Sequence, residues 1–165
     1  RIQHYQAVTA EQLMDQVCMT LGGRAAEEIF FGKISTGASN DLQQITKIAY
    51  SMITVYGMNE KIGNISYYDP SQENQFTKPY SEETGKMIDE EVRKLIEAAY
   101  ERTKDLLTEK KSEVEKLAKE LLDKEVLHQS DVEELIGKRP FEDKKPHVDN
   151  GLPDVSAPPE KTVVE

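Results

Sequence analysis

The sequence predicts an all-α fold: a helical bundle of about five helices, a short irregular or hairpin excursion, and a disordered C-terminal tail. Three observations predict it. Apolar residues recur at helical spacing through most of residues 10–137. Start and stop signals bracket each periodic run. Beyond Lys138 the periodicity ends, apolar residues thin out, and Pro140, Pro146, Pro153, Pro158 and Pro159 crowd in.

Residues 1–8 alternate loosely, as an extended segment would. Thr9 and Gln12 form a capping box opening a helix over about Ala10–Phe31, with Leu13, Val17, Leu21 and Ile29 inward and Gly32 as its stop. Gly22 and Gly23 lie inside it at a cost of roughly 1 kcal/mol each against Ala, which a close helix–helix approach would offset. Lys33–Ala38 read as a loop and Ser39 as the N-cap of a helix to about Tyr56, on Leu42, Ile45, Ile48, Ala49, Met52, Ile53 and Tyr56. Gly57 ends it. Residues 58–79, with Gly63, Pro70, Pro79 and the β-prone Ile62, Ile65, Tyr67 and Tyr68, form the irregular excursion.

Ser81 caps a long helix to about Leu107, with Met87, Ile88, Val92, Leu95, Ile96, Ala99, Leu106 and Leu107 as its apolar stripe. A further helix covers about Lys111–Asp123, with Val114, Leu117, Leu121 and Leu122 inward. Ser130 and Glu133 form a second capping box before a short helix ending at Gly137. The organisation is therefore a folded unit over 1–137 and a Pro-rich tail over 138–165, disordered from about 141.

Composition narrows the function. A net charge of −10 argues against non-specific nucleic-acid binding and gives no support for docking on an anionic membrane. No apolar run reaches the roughly 20 residues that span a bilayer. The start carries no signal-peptide pattern and no initiator Met, so the chain is expected to begin partway through a longer protein. Cys18, the single cysteine, excludes an internal disulfide, fits a reducing compartment, and reads as a small apolar residue rather than a reactive thiol.

The residues alone advertise little chemistry. His4, His128 and His147 are far apart in sequence, and none has a partner histidine at helical spacing. Gly22-Gly23 lacks the surroundings of a phosphate loop. Glu27 and Glu28 read as a solvated pair or as ion-pair partners of Arg24. Asp41 lies in the first turn of a helix, where a carboxylate offsets the helix dipole and meets free N–H groups; capping is its ordinary role.

A resemblance changes the weight on Asp41. LGGRAAEEIFFG, STGASNDL, VYGMNEKIG and IDEEVRKLIEAAYERTKDLL follow one another in the order of the FtsH family, the membrane-anchored ATP-dependent zinc metalloproteases. The resemblance covers about 10–137, and TEKK and KRPF resemble mitochondrial relatives. The resemblance implies the C-terminal part of a mainly helical peptidase domain, attached in the parent to an ATP-binding AAA domain and assembled as a homo- or hetero-hexamer. It implies a tetrahedral zinc held by Asp41 and two histidines of an H-E-x-x-H helix, with water in the open position and the Glu of that helix as general base. Thr36, Gly37 and Ser39 would support Asp41 from the preceding loop, and the resemblance leaves open a role for Glu27 or Glu28 in orienting the metal ligands. Substrates would be unfolded and membrane proteins.

The chain departs from that pattern in having no H-E-x-x-H, so it holds no catalytic residue and one metal ligand. Alone it is expected neither to bind zinc tightly nor to cleave peptides. The alternative reading is a catalytically silent helical module for oligomerisation or adaptor binding. A coiled-coil scaffold on Ser81–Leu122 is a third, but its stripe is not a sustained heptad. STGASNDL and LGGRAAEEI keep the bacterial form, which favours the cytoplasmic side of a bacterial inner membrane; the matrix side of the mitochondrial inner membrane is the alternative. In either case only upstream segments would enter the membrane.

Overall fold

A computed structural model describes residues 7–67 and 78–141. Within them the chain forms five α-helices: α1 (Ala10–Phe31), α2 (Ser39–Thr54), α3 (Glu82–Glu109), α4 (Lys111–Lys124) and α5 (Gln129–Ile136). The predicted capping box opens α1, with the Gln12 N–H donating to the Thr9 hydroxyl and the Thr9 N–H to the Gln12 side chain. Gly32, at φ 63°, closes it in the left-handed conformation. Ser81 caps α3 by accepting from the Thr84 N–H.

α3 is the spine. One end packs Ile88 and Val92 against Ala49 and Ile53 of α2 and against Ile62, with Tyr50, Tyr67 and Tyr80 around them. The other end packs Ala99 against Val17 and Leu21 of α1 and Ile45 of α2. Ile96 touches both clusters, so the three helices share one continuous core. Each fully buried aliphatic side chain contributes roughly 1.5–3 kcal/mol of transfer free energy. Cys18 is half-buried beside this core, its Sγ 3.6 Å from the Ala99 carbonyl, and Thr103 donates to that same carbonyl at 2.7 Å. Arg102 of α3 also reaches Asp15 of α1 at 2.8 Å across the surface.

Several expectations are corrected. Ser39 does not cap α2; it is the first helical residue, because a 3-10 turn over Thr36–Ala38 runs directly into the helix. The second capping box sits two residues earlier than predicted: Asp131, not Glu133, accepts from the backbone N–H of the N-cap, His128. Gly22 and Gly23 mark no close helix approach, since a methyl group at either would meet nothing within 4 Å among the described residues. Tyr56, Met87, Leu106, Leu121 and Leu122 are exposed rather than inward. The last two belong to α4, which buries no residue and packs mainly on α5. Helical spacing marks a stripe but not its width, and here only the centre of each stripe meets a neighbour.

Residues 55–67 form turns rather than a strand, with the Tyr67 N–H returning to the Thr54 carbonyl at 2.7 Å. Residues 68–77 of the excursion and the tail over 142–165 lie outside the described residues. No helix among the described residues is long and apolar enough to cross a membrane.

Candidate metal centre

The site is built by the connection between α1 and α2. Gly32 turns the chain out of α1 and donates its N–H to the Glu28 carbonyl. Lys33 and Ile34 are exposed, and Ser35 takes an extended conformation. Its hydroxyl lies 3.0 Å from both oxygens of Glu27, to which it gives its proton, and its backbone N–H donates to the same carboxylate at 3.0 Å. The Ser35 oxygen in turn accepts from the Gly37 N–H at 3.2 Å. This is the hydroxyl-to-backbone turn that a serine two residues before a glycine makes readily.

The turn over Thr36–Ala38 then closes through the Ser39 N–H, which donates to the Thr36 carbonyl. Ala38 is buried and seats the turn against the protein. Ser39 and Asn40 begin α2, and Asp41 follows as the third residue of its first turn. One turn on, Ile45 is fully buried between α1 and α3. The Asp41 side chain is exposed, and no hydrogen bond or ion pair from the described residues engages it. Its place at the positive end of α2 suits an anion.

Electrostatics mark the loop rather than the aspartate. The Ser35 backbone N–H, then its hydroxyl, hold the Glu27 carboxyl below the usual range, and the Arg24 charge adds to this. Arg24 makes no ion pair with either glutamate among the described residues; Glu28 instead accepts from the Tyr100 hydroxyl and lies 3.9 Å from Lys104. Burial, with the Glu28 bond second, pushes the Tyr100 hydroxyl up.

Of the predicted supports, Thr36, Gly37 and Ser39 form the turn that delivers Asp41, and they do so through backbone groups. Neither the Thr36 nor the Ser39 hydroxyl bonds to Asp41 among the described residues. Sequence reasoning missed Ser35, although S-x-G ahead of a helix was a legible turn signal, and it named Glu27 without its partner in the loop.

Among the described residues no group of three His, Cys, Asp or Glu side chains converges as a metal site would require. His128 caps α5, and His4 and His147 lie outside the described residues. An unengaged carboxylate on a fixed helix turn fits the part of one zinc ligand, an oxygen donor that needs partners from elsewhere. A groove of about 790 Å³ between α4 and α5 is floored by Val114, Leu117, Val132 and Ile136, and none of the predicted site residues lines it.

The family model for peptidase family M41 matches residues 2–135. The chain is 58% identical over 137 residues to the mitochondrial inner membrane m-AAA protease component AFG3L2 of Mus musculus, covering 82% of this chain and 17% of that protein. It is 56% identical over 135 residues to the ATP-dependent zinc metalloprotease FtsH of Parabacteroides distasonis, covering 81% and 20%. It is 54% identical over 134 residues to the mitochondrial ATP-dependent zinc metalloprotease FTSH 10 of Arabidopsis thaliana, covering 81% and 16%. The chain thus spans about a fifth or less of the length of these relatives. With the family model matching residues 2–135 and relatives more than half identical over about four-fifths of the chain, the chain belongs to peptidase family M41.

Proposed function

We propose that residues 1–137 are the C-terminal part of a zinc peptidase domain and that Asp41 is the ligand this part supplies to the metal. The observation that carries the reading is the Asp41 carboxylate itself: exposed, unengaged by the described residues, and held on the first turn of a helix whose next turn is locked in the core by Ile45. The parent is an ATP-dependent, membrane-anchored endopeptidase that degrades unfolded and membrane proteins as a hexamer. The membrane, ATP and zinc parts of this reading are supported by its relatives, an inner-membrane protease component and ATP-dependent zinc metalloproteases.

Bound zinc would polarise the scissile carbonyl and activate a water molecule. What this chain contributes is narrower. Asp41 supplies one negatively charged oxygen donor, Thr36–Ser39 set the direction from which it enters, and α1 and α3 hold that entry rigid. Lacking H-E-x-x-H, the chain alone neither retains zinc nor cleaves peptides. The domain faces the cytoplasm of a bacterium or, in a mitochondrial source, the matrix.

Elemental analysis tests both halves. The purified chain should hold far less than one zinc per molecule, and the parent enzyme should lose its zinc on Asp41→Ala. One zinc per purified chain, or an Asp41→Ala parent that keeps its metal through dialysis, would sink the reading.

A further inference from the structure

We infer that Ser35, clipped to Glu27, is a positioning residue for Asp41; the inference rests on the reading of Asp41 as a zinc ligand. It starts from a gap in α2. The first turn of any helix has N–H groups without intrahelical partners, and a side-chain cap normally restrains it. The N-cap of α2 is Ala38, which has no side chain able to do this. The turn that carries Asp41 therefore lacks a cap of its own.

The cap has been moved one turn upstream. The Ser35 hydroxyl accepts from the Gly37 N–H and so closes the start of the 3-10 turn that continues into α2. That hydroxyl is not free to rotate, because its proton goes to Glu27 and its own backbone N–H goes to the same carboxylate. Glu27 sits on α1 two residues beyond Ala25, which is fully buried. The line of support runs from the core through α1 to Glu27, across to Ser35, and along the turn to Asp41. Apart from Ala38, every residue from Phe31 to Asp41 is exposed, so little apolar packing duplicates it.

A metal ligand must stand within a few tenths of an ångström of its place, and loss of the groups that orient ligands costs roughly 10–100-fold in affinity. Ser35→Ala removes both the acceptor for Gly37 and the donor to Glu27, leaving the buried core untouched. Ser35→Thr keeps the hydroxyl.

Two measurements test this. The first is amide hydrogen exchange over residues 35–41 in the 165-residue chain, without metal. Ser35→Ala and Glu27→Ala should each speed exchange there by roughly tenfold, with Val17, Ile45 and Ile88 as slow as before, and Ser35→Thr should restore protection. The second is zinc affinity of the intact ATP-dependent enzyme, by chelator competition. Ser35→Ala should weaken it by about 10–100-fold, with Ser35→Thr close to wild type and the Glu27→Ala/Ser35→Ala double variant no weaker than Ser35→Ala.

Unchanged exchange, or unchanged zinc affinity in Ser35→Ala beside a strong loss in Asp41→Ala, overturns the clip and leaves Asp41 as a ligand. Unchanged zinc affinity in Asp41→Ala overturns the ligand reading instead, and the exchange measurement still decides whether the clip orders the turn.

Discussion

The Asn59 side-chain amide donates to Glu91 at 3.0 Å while its carbonyl oxygen accepts from the backbone N–H groups of Lys61 and Ile62. One residue thus shapes the turn after α2 and ties it to α3, which lets Ile62 enter the core. Lys61 and Lys94 each lie 3.0 Å from the other Glu91 oxygen. Asn59→Ala should cost about 1–2 kcal/mol in urea unfolding, since it removes the hydrogen bond to Glu91 and leaves two N–H groups to find water.

The same network gives the chain an acid-sensitive step. The Asn59 amide, then Lys61 and Lys94, pull the Glu91 carboxyl down from the usual 4.5 to about 2. The folded form then holds that proton less tightly than the unfolded form. Its stabilisation is complete above pH 4.5 and is lost as pH falls toward about 2. Glu91→Gln should flatten the dependence of unfolding free energy on pH in that window. An unchanged slope would show that the network does not discriminate between the protonation states.

Tyr50 carries the opposite shift. Its hydroxyl donates to Asp89, and that bond, with burial second, pushes it up to about 12. The folded form here binds the proton more tightly, so the contribution is complete below pH 10 and fades as pH climbs toward about 12. Tyr50→Phe should remove a late phase from the ultraviolet titration of the tyrosines and cost about 0.5–1.5 kcal/mol at neutral pH.

Two glycines should respond to alanine with opposite sign. Gly22 is helical and meets no atom within 4 Å, so Gly22→Ala should stabilise this chain by about 0.5–1 kcal/mol. Gly57 has φ 62°, and a methyl group there would stand 3.3 Å from the Asn64 Cα and the Gly63 carbonyl. Gly57→Ala should therefore cost about 1–3 kcal/mol. Thermal unfolding of the pair, side by side, checks the contrast.

Burial likewise separates residues that share one periodicity. Ile45→Ala should cost about 2–5 kcal/mol, because its cavity opens where three helices meet. Leu122→Ala should stay within about 0.5 kcal/mol, since that side chain is 84% exposed. A large loss at Leu122 in urea unfolding would show that α4 is covered in solution.

The helices of this chain are legible in its sequence because their signals are local. Apolar spacing, the Thr9 and Ser81 caps and the stops at Gly32 and Gly137 act within a few residues, and the described helices begin and end within about three residues of those marks. Asp41 falls on its predicted first turn for the same reason. What could not be read was whatever depends on a second element. Whether Leu121 is inward depends on α5, and whether Gly22 touches a neighbour depends on the packing of α1. The restraint on α2 was assigned to Ser39 by local preference, yet it belongs to Ser35, because only across the α1–α2 turn does Glu27 come within 3.0 Å of that hydroxyl. Local backbone chemistry wrote the elements and the position of the metal-ligand candidate. Long-range packing chose which stripe residues are buried and which side chain steadies Asp41, since those energies exist only once distant segments meet.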